Sequence, residues 1–400
     1  MDKYRFCTIQ KITGQIAVSL AVAFNLLSCR NSPSTPQVHF FESEAGDDDF
    51  FRRATPETVG INPIALASLV GEAQAAHSCA LIIIKDGRLV AERYFGRDIK
   101  QPLRVNSVTK SVVSLAIGLL LKEGKIPGLN TPVSKWYPEW AEGKKAKITL
   151  WNIMTHTSGL YHEQGAKRLY QQRDVIRYSI GLPVIDEPGK NFSYSNEAVA
   201  LIPGIVRAAS GMPLDIYLRD RLFKPMGISV YNWDRDPAGN VMAYGGLWLF
   251  PRDLASIGQL MADGGRWRGK QLIPASWVRT SISPARGNIP YYGMLWWLYP
   301  GQQAQTSALS TGSETSASGK MGQNKASEDF TGGFGADGWL GQYLVVYPKS
   351  HLVAVRMHAI EAGNDENESK KYGFHSFQKL TLALVQPAPD SSEIKRTHRN

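Results

Sequence analysis

The 400-residue sequence contains only three cysteines, at positions 7, 29 and 79, and no C-x-x-C pair. Its eight histidines include no H-E-x-x-H motif. A zinc site therefore lacks support, and we expect no metal and no other cofactor. The formal net charge is +10, but the Lys and Arg residues are scattered, without a long basic run or a helix-turn-helix pattern. Nucleic acid is therefore not an expected partner.

The sequence also has no apolar stretch that is comfortably long enough to span a membrane. Basic residues in the first eleven positions precede the short apolar run IAVSLAVAFNLLS, a pattern typical of an export signal. The run ends in LLSC at Cys29, which resembles the bacterial lipoprotein box; a chance cysteine is the alternative. We expect a signal peptide over 1–28, a lipid anchor on Cys29 and a location in the cell envelope, facing the periplasm. No intramolecular disulfide is then expected.

Composition divides the exported chain into segments. Hydrophobic residues make up 43% of the sequence and aromatic residues 10%, enough for a large core. Two β-rich runs meet at Asp86-Gly87, a hairpin signal, and β character returns only after about residue 290, so both ends should build one sheet. We expect a flexible tether over 29–55, a domain over 56–386 with a helical insertion at about 112–290, a mobile loop over 301–329 and a disordered tail over 387–400.

A possible nucleophile is found in the stretch VNSVTKS, where Ser107 stands three residues before Lys110. The following residues lack Gly and Pro until Gly118, which predicts a buried helix ending near Gly124. Positions i and i+3 share a helix face, so the Lys110 amine can reach the Ser107 hydroxyl. A desolvated amine can serve as a base near neutral pH. The alternative is an N-cap serine with a lysine that extends to solvent.

Spacing alone cannot distinguish these interpretations, because the same S-x-x-K tetrad recurs at Ser376 and at Ser392. A second signal is Tyr194-Ser195-Asn196, in a loop that leads into a predicted helix. Its phenol can relay a proton if a cation lowers the phenol pKa, and the Asn196 amide can donate to a substrate carbonyl.

In order and spacing, SVTK, MTHTSGL and YSN resemble the serine β-lactamase and penicillin-recognising superfamily. The resemblance extends over about 54–386 and is closest to class C β-lactamases, with the related esterases, DD-peptidases and 6-aminohexanoate-dimer hydrolases. It implies an α+β, β-lactamase/transpeptidase-like fold: an antiparallel sheet flanked by helices, plus an all-helical subdomain, with the site between them.

The resemblance also implies residue roles. Ser107 becomes the acylated nucleophile, Lys110 its activating amine, Tyr194 the general acid/base and Asn196 the second-motif amide. In GFGADGWLG, Gly338 takes the place of the third-motif glycine, where substrate approaches the strand closely, and the backbone N–H groups of Trp339 and Ser107 form the oxyanion hole.

The third motif departs from the family pattern, because Ala336-Asp337 replaces the Lys-Thr or His-x that helps hold a substrate carboxylate. We therefore expect a serine hydrolase of small or peptide esters or amides, with a class C-like β-lactamase or DD-peptidase as the alternative. A non-catalytic, cell-wall-binding lipoprotein is a third possibility. His156 is interpreted as forming a structural hydrogen bond, and His162 and Glu163 as residues of a solvated loop.

Overall fold

The computed structural model describes residues 51–96, 99–285, 289–299, 332–359 and 373–386, and the backbone of residues 38–40. The signal peptide, Cys29, most of the tether, the 301–329 loop and the 387–400 tail lie outside the described residues. The strands are β1 Val38–Phe40, β2 Ala80–Lys85, β3 Arg88–Tyr94, β4 Leu103–Arg104, β5 Val230–Trp233, β6 Leu247–Leu249, β7 Arg266–Trp267, β8 Lys270–Gln271, β9 Trp297–Tyr299, β10 Gly333–Gly338, β11 Gln342–Tyr347 and β12 Leu352–Met357.

The helices alternate with these strands and dominate the middle of the chain. They are α1 Pro63–Ala75, α2 Val108–Lys122, α3 Leu150–Met154, α4 Lys167–Tyr170, α5 Val175–Gly181, α6 Asn196–Val199, α7 Ile202–Ser210, α8 Leu214–Leu218, α9 Lys224–Met226, α10 Pro251–Ala262, α11 Ala275–Ser281 and α12 Phe374–Ala383.

The main sheet has the order β3-β2-β12-β11-β10-β9, and its neighbouring strands are antiparallel. Strand β2, from the start of the domain, pairs with β12 near its end, which confirms that both ends of the chain build this sheet. Strands β2 and β3 are joined at Asp86 and Gly87, which have φ values of 51° and 68°. Positive φ at both positions is the turn geometry that an Asp-Gly hairpin predicts.

Helices cover both faces of the sheet, and its central strands β2, β11 and β12 are buried on both sides. Helices α1 and α12 pack on one face, with Leu69 and Phe377 among the buried side chains. Helices α2 and α10 lie on the other face, within the larger core. At Gly258 of α10, an added Cβ would lie 2.6 Å from Val353 Cγ1 of β12. The absence of a side chain there lets the helix lie directly on the sheet, and the α+β expectation is confirmed.

The middle of the chain is less purely helical than the sequence predicts. Strands β5 and β6 join β4 and β1 in a second sheet of order β1-β5-β6-β4. These strands have two to four residues each, too short for an alternating pattern to be visible in the sequence. Through β4 this small sheet leads directly into the start of α2.

Parts of the predicted tether are paired with the domain, so the tether is shorter than 29–55. Arg53 forms a parallel bridge with Leu89, and Phe51 is 3% exposed with its ring edge against Trp267. The strand Val38–Phe40 pairs with β5. This segment is rich in acidic residues, so the sequence did not indicate that Phe51 packs into the domain.

Within the described ranges, no single helix is long and apolar enough to cross a membrane; one bent pair, Asn196–Ser210 with Leu214–Met226, meets the criteria by length and composition only.

Candidate active site

Ser107 is the N-cap residue of α2, at the point where β4 turns into the helix. Its φ and ψ are −65° and −11°, and its side chain makes no capping hydrogen bond. Asn106, just before it, has a φ of 48°, a left-handed conformation that Asn tolerates better than most residues. The hydroxyl is therefore available to another partner, unlike the N-cap serine considered as an alternative.

Lys110 makes the contact that its spacing predicts. The side chain does not extend to solvent: the residue is 1% exposed, and its Nζ donates to Ser107 Oγ at 2.9 Å and to the Tyr244 carbonyl oxygen at 2.5 Å. Burial lowers the pKa of Lys110 from 10.5 to about 7, and the charge of Glu197 opposes this shift. The cause is the desolvation of the charged ammonium in the protein interior. Near neutral pH a large fraction of this amine is unprotonated.

Tyr194 lies next to the amine: Lys110 Nζ is 4.8 Å from the centre of its ring. The ring also stacks on Trp297 at 6.1 Å, with an interplanar angle of 11°. Burial raises the pKa of Tyr194 above its ordinary value, although a hydrogen bond with Ser107 opposes this rise. The condition considered from the sequence, a cation that lowers this pKa, is not the main effect at this position. At neutral pH the Tyr194 phenol is therefore protonated and can donate a proton, and the unprotonated form of Lys110 next to it can accept one.

Asn196 begins α6 and does not present a free amide. Its Nδ2 donates to the Gly165 carbonyl oxygen at 2.9 Å, which ties α6 to the loop before α4. One of the two N–H bonds of the amide is thus occupied by the protein itself. The predicted donation to a substrate carbonyl would have to use the other.

Gly338 ends β10 and is needed for a reason that the sequence did not reveal. A Cβ at this position would lie 2.5 Å from the Val105 carbonyl oxygen. The close approach that requires glycine in this structure is therefore to the protein's own backbone, two residues before Ser107. This contact brings the end of β10 to the start of α2.

A second contact joins the same two segments. Asn106 Nδ2 donates to the Trp339 carbonyl oxygen at 2.8 Å. Among the described residues, the backbone N–H groups of Ser107 and Trp339 donate to no protein acceptor. Trp339 is 56% exposed. Sequence reasoning did not single out Asn106; its position before the nucleophile in a tight turn was the available signal.

The two residues of the altered third motif face opposite sides of β10. Ala336 is 1% exposed and packs in the core against α2. Asp337 is partly exposed and lies on the face of its strand neighbours Trp297 and Tyr343, because alternate residues share a face. Burial raises the pKa of Asp337 to about 7, and its charge acts on Tyr194. Asp337 thus shares the sheet face of Tyr343, which packs against α12, and its charge extends to Tyr194 of the candidate site.

The loop that carries Tyr194 is bounded by buried polar groups. The Glu197 carboxylate accepts hydrogen bonds from the Glu163 N–H and the Ser195 hydroxyl, both at 3.3 Å, and its pKa is raised by burial. His162 Nε2 contacts Ser193 Oγ. Glu163 and His162 are both partly exposed to solvent. His156 is completely buried and forms the structural hydrogen bond expected of it, with the Ser195 N–H at 3.1 Å.

Structural context separates the candidate tetrad from its repeat. Ser376 and Lys379 also lie one turn apart on a helix, α12, but both are exposed. Ser392 lies outside the described residues. Trp296 and Trp297 are adjacent in the chain but face different surroundings: Trp296 is fully buried in the core, whereas Trp297, the first residue of β9, stacks on Tyr194. In the described part of the chain, no group of His, Cys, Asp and Glu side chains has the arrangement of a metal site.

Comparison with known sequences identifies a family and several relatives. The family model described as Beta-lactamase matches residues 66–374. Esterase EstB from Burkholderia gladioli is 27% identical over 203 residues, which cover 45% of this chain and 49% of the esterase. A beta-lactamase from Escherichia coli is 24% identical over 224 residues, which cover 53% and 58% of the two chains. The chain thus spans about half the length of these curated relatives.

Solved structures match over a larger part of the chain. A putative 6-aminohexanoate-dimer hydrolase from Bacillus anthracis superposes with a TM-score of 0.65 and 20% identity, covering 87% of this chain and 90% of the other. A putative beta-lactamase from Bacteroides dorei gives the same TM-score with 18% identity, covering 81% and 99%. At these identities the likeness shows the fold.

Proposed function

Starting from the fact that this chain belongs to the Beta-lactamase family, which is a family of serine hydrolases, we propose that it hydrolyses ester or amide bonds through an acyl-enzyme on Ser107. One observation carries the proposal: a fully buried amine with a pKa of about 7 lies 2.9 Å from a serine hydroxyl that caps nothing. That is the arrangement in which an amine can take the proton of a nucleophile.

The first half of the reaction uses the groups around Ser107. Ser107 Oγ attacks the substrate carbonyl carbon, and neutral Lys110 accepts the hydroxyl proton while its other N–H remains on the Tyr244 carbonyl. The backbone N–H groups of Ser107 and Trp339 are the proposed donors to the resulting oxyanion. They are available because neither donates to another described residue.

Collapse of the tetrahedral intermediate requires a proton for the leaving group. The neutral Tyr194 phenol donates this proton, and the Lys110 ammonium returns one to the phenolate, since the amine lies over the same ring. Water then attacks the acyl-enzyme by the reverse sequence of proton transfers. Asn196 and Gly338 are proposed to position the substrate beside these groups, through the remaining amide N–H and the end of β10.

The choice of substrate depends on Asp337. A carboxylate ligand, such as a penicillin or cephalosporin, meets a carboxyl group instead of the cation that the family pattern offers there. With a pKa of about 7, Asp337 can be protonated to admit such a ligand. That protonation costs about 0.4 kcal/mol at pH 7 and about 1.4 kcal/mol at pH 8. We therefore propose neutral or cationic esters and amides as substrates. β-Lactams should be increasingly disfavoured as the pH rises, because the cost of protonating Asp337 increases.

The experiment is a substrate panel for the purified domain: short neutral p-nitrophenyl esters, a chromogenic cephalosporin and D-Ala-D-Ala peptides. Ester hydrolysis should exceed cephalosporin turnover at least about tenfold in kcat/KM at pH 8. Ser107→Ala should abolish it, and Ser376→Ala, in the exposed tetrad of α12, should not. Preferred turnover of the cephalosporin or of the peptides would replace this proposal with the β-lactamase or DD-peptidase alternative. No turnover, with peptide binding retained, would favour the non-catalytic binder.

We further propose that the protein is exported and anchored through lipidated Cys29 in a bacterial cell envelope, facing the periplasm. The basic start, the apolar run and LLSC support this. Because Phe51 is anchored in the domain, the tether would end before it. A membrane-bound wild type and a soluble Cys29→Ala variant of different mass are the results expected on fractionation.

A further inference from the structure

His156 holds the backbone on both sides of Tyr194. Its carbonyl oxygen accepts the Ser193 N–H at 2.8 Å, and its Nδ1 accepts the Ser195 N–H at 3.1 Å. A single residue, 38 positions earlier in the chain than Tyr194, thus accepts both flanking N–H groups of the candidate proton donor. Hydrogen bonds on each side of one residue fix its backbone more firmly than either would alone.

The imidazole also supports the ring of Tyr194. The two ring centres are 4.4 Å apart with an interplanar angle of 35°, and the imidazole further contacts Tyr292 at 5.3 Å and Phe192 at 5.9 Å. Since Trp297 stacks on Tyr194 as well, the phenol ring contacts both an imidazole and an indole. This packing restricts the direction in which the phenol oxygen points.

The His156 conformation is specific and costs free energy. The residue has a φ of 54°, in the left-handed region, and is completely buried. Its Nε2 has no hydrogen-bond partner among the described residues, which leaves one buried polar atom unsatisfied. Because Nδ1 accepts from Ser195, the neutral ring carries its proton on Nε2. A residue kept in this strained and partly unsatisfied state fits a role beyond filling space.

We propose that His156 is a positioning residue for the reaction: it acts through Tyr194, by holding the phenol at the distance from Lys110 and Ser107 that proton transfer requires. It does not contact substrate. This inference rests on the proposed role of Tyr194. Burial lowers the pKa of His156 well below its usual value, and the charges of Lys110 and His162 lower it further, so the imidazole stays neutral.

Two substitutions distinguish the hydrogen-bond acceptor of His156 from its aromatic ring. His156→Asn places a carbonyl oxygen near the position of Nδ1 and keeps an acceptor for the Ser195 N–H, whereas His156→Phe keeps a ring but removes the acceptor. If the acceptor positions Tyr194, His156→Phe should lower kcat at least about 100-fold with KM changed less than about threefold. His156→Asn should restore most of kcat. His375→Phe, the same substitution on α12, serves as the control.

A double-mutant cycle tests whether His156 acts through Tyr194. In a Tyr194→Phe background, His156→Phe should lower kcat less than about threefold further, because the group being positioned is already absent. Equal loss in both backgrounds, or an unchanged kcat in His156→Phe alone, would overturn the proposal. So would losses that follow the melting temperature of each variant.

Amide hydrogen exchange gives a readout that needs no turnover. The Ser195 amide should exchange at least about tenfold faster in His156→Phe than in wild type or in His156→Asn. Unchanged protection in His156→Phe overturns the contact itself, whatever the enzyme does. A protected Ser195 amide in a protein that never acylates Ser107 would instead contradict the proposed function.

Discussion

Raising the pH from 6 to 8 should increase the rate at which a neutral p-nitrophenyl ester acylates Ser107 about tenfold, because only neutral Lys110 accepts the serine proton. With a pKa of about 7, the neutral fraction of this amine is about 0.09 at pH 6, about 0.5 at pH 7 and about 0.9 at pH 8. An ordinary lysine would show no plateau below pH 10. The neutral ester adds no titration of its own.

Other groups near Lys110 titrate and have to be separated from it. Asp337 also has a pKa of about 7, and Glu197 and His156 interact with the amine electrostatically. Stopped-flow acylation should therefore be measured from pH 5.5 to 9 for wild type and Asp337→Asn. The inflection near 7 should persist in Asp337→Asn. Lys110→Met should lose it together with orders of magnitude in rate, whereas Lys379→Met, in the exposed tetrad, should match wild type.

The same lowered pKa has a consequence for stability. Between about pH 7 and 10.5 the unfolded chain binds a proton on Lys110 that the folded protein does not. The free energy of unfolding should therefore rise with pH in this window, by up to about 1.4 kcal/mol per pH unit relative to Lys110→Met.

An acylation rate that does not change from pH 6 to 8, or an inflection that disappears in Asp337→Asn, would refute the assignment of Lys110 as the base.

Three further outcomes follow from specific contacts. Gly118→Ala should lower the free energy of unfolding by about 1 to 3 kcal/mol in urea denaturation, because its Cβ would lie 2.2 Å from the Trp277 ring; Gly71→Ala, with open space in α1, should not lower it. The ratio of ester to cephalosporin kcat/KM should rise about fivefold from pH 7 to 8, and a constant ratio, or the same rise in Asp337→Asn, would contradict the role of that carboxyl. Cys29→Ala should move the protein from the membrane to the soluble fraction; an unchanged distribution would exclude the lipid anchor.

Local patterns predict the parts of this fold that depend on neighbouring residues. The run without Gly or Pro after Ser107 became α2, and Asp86-Gly87 became a hairpin turn, because each depends on neighbouring backbone geometry. The contact between Ser107 and Lys110 was predictable for the same reason: one helical turn fixes it. The small sheet was missed, since strands of two to four residues show no periodicity.

The remainder of the candidate site depends on contacts between distant positions. Asn106 meets Trp339 across 233 residues, and Gly338 is needed because of Val105, which no local pattern reveals. The direction of the Tyr194 pKa shift could not be read from the sequence, because it is set mainly by burial, and burial is a property of the fold.

The central claim is that Ser107 forms the acyl-enzyme, and intact-protein mass spectrometry after brief reaction with a fluorophosphonate tests it most directly. The account predicts one adduct, mapped by peptide sequencing to Ser107, present in wild type and Ser376→Ala and absent from Ser107→Ala. An adduct of unchanged yield in Ser107→Ala, or one mapped to another residue in the wild type, would contradict it.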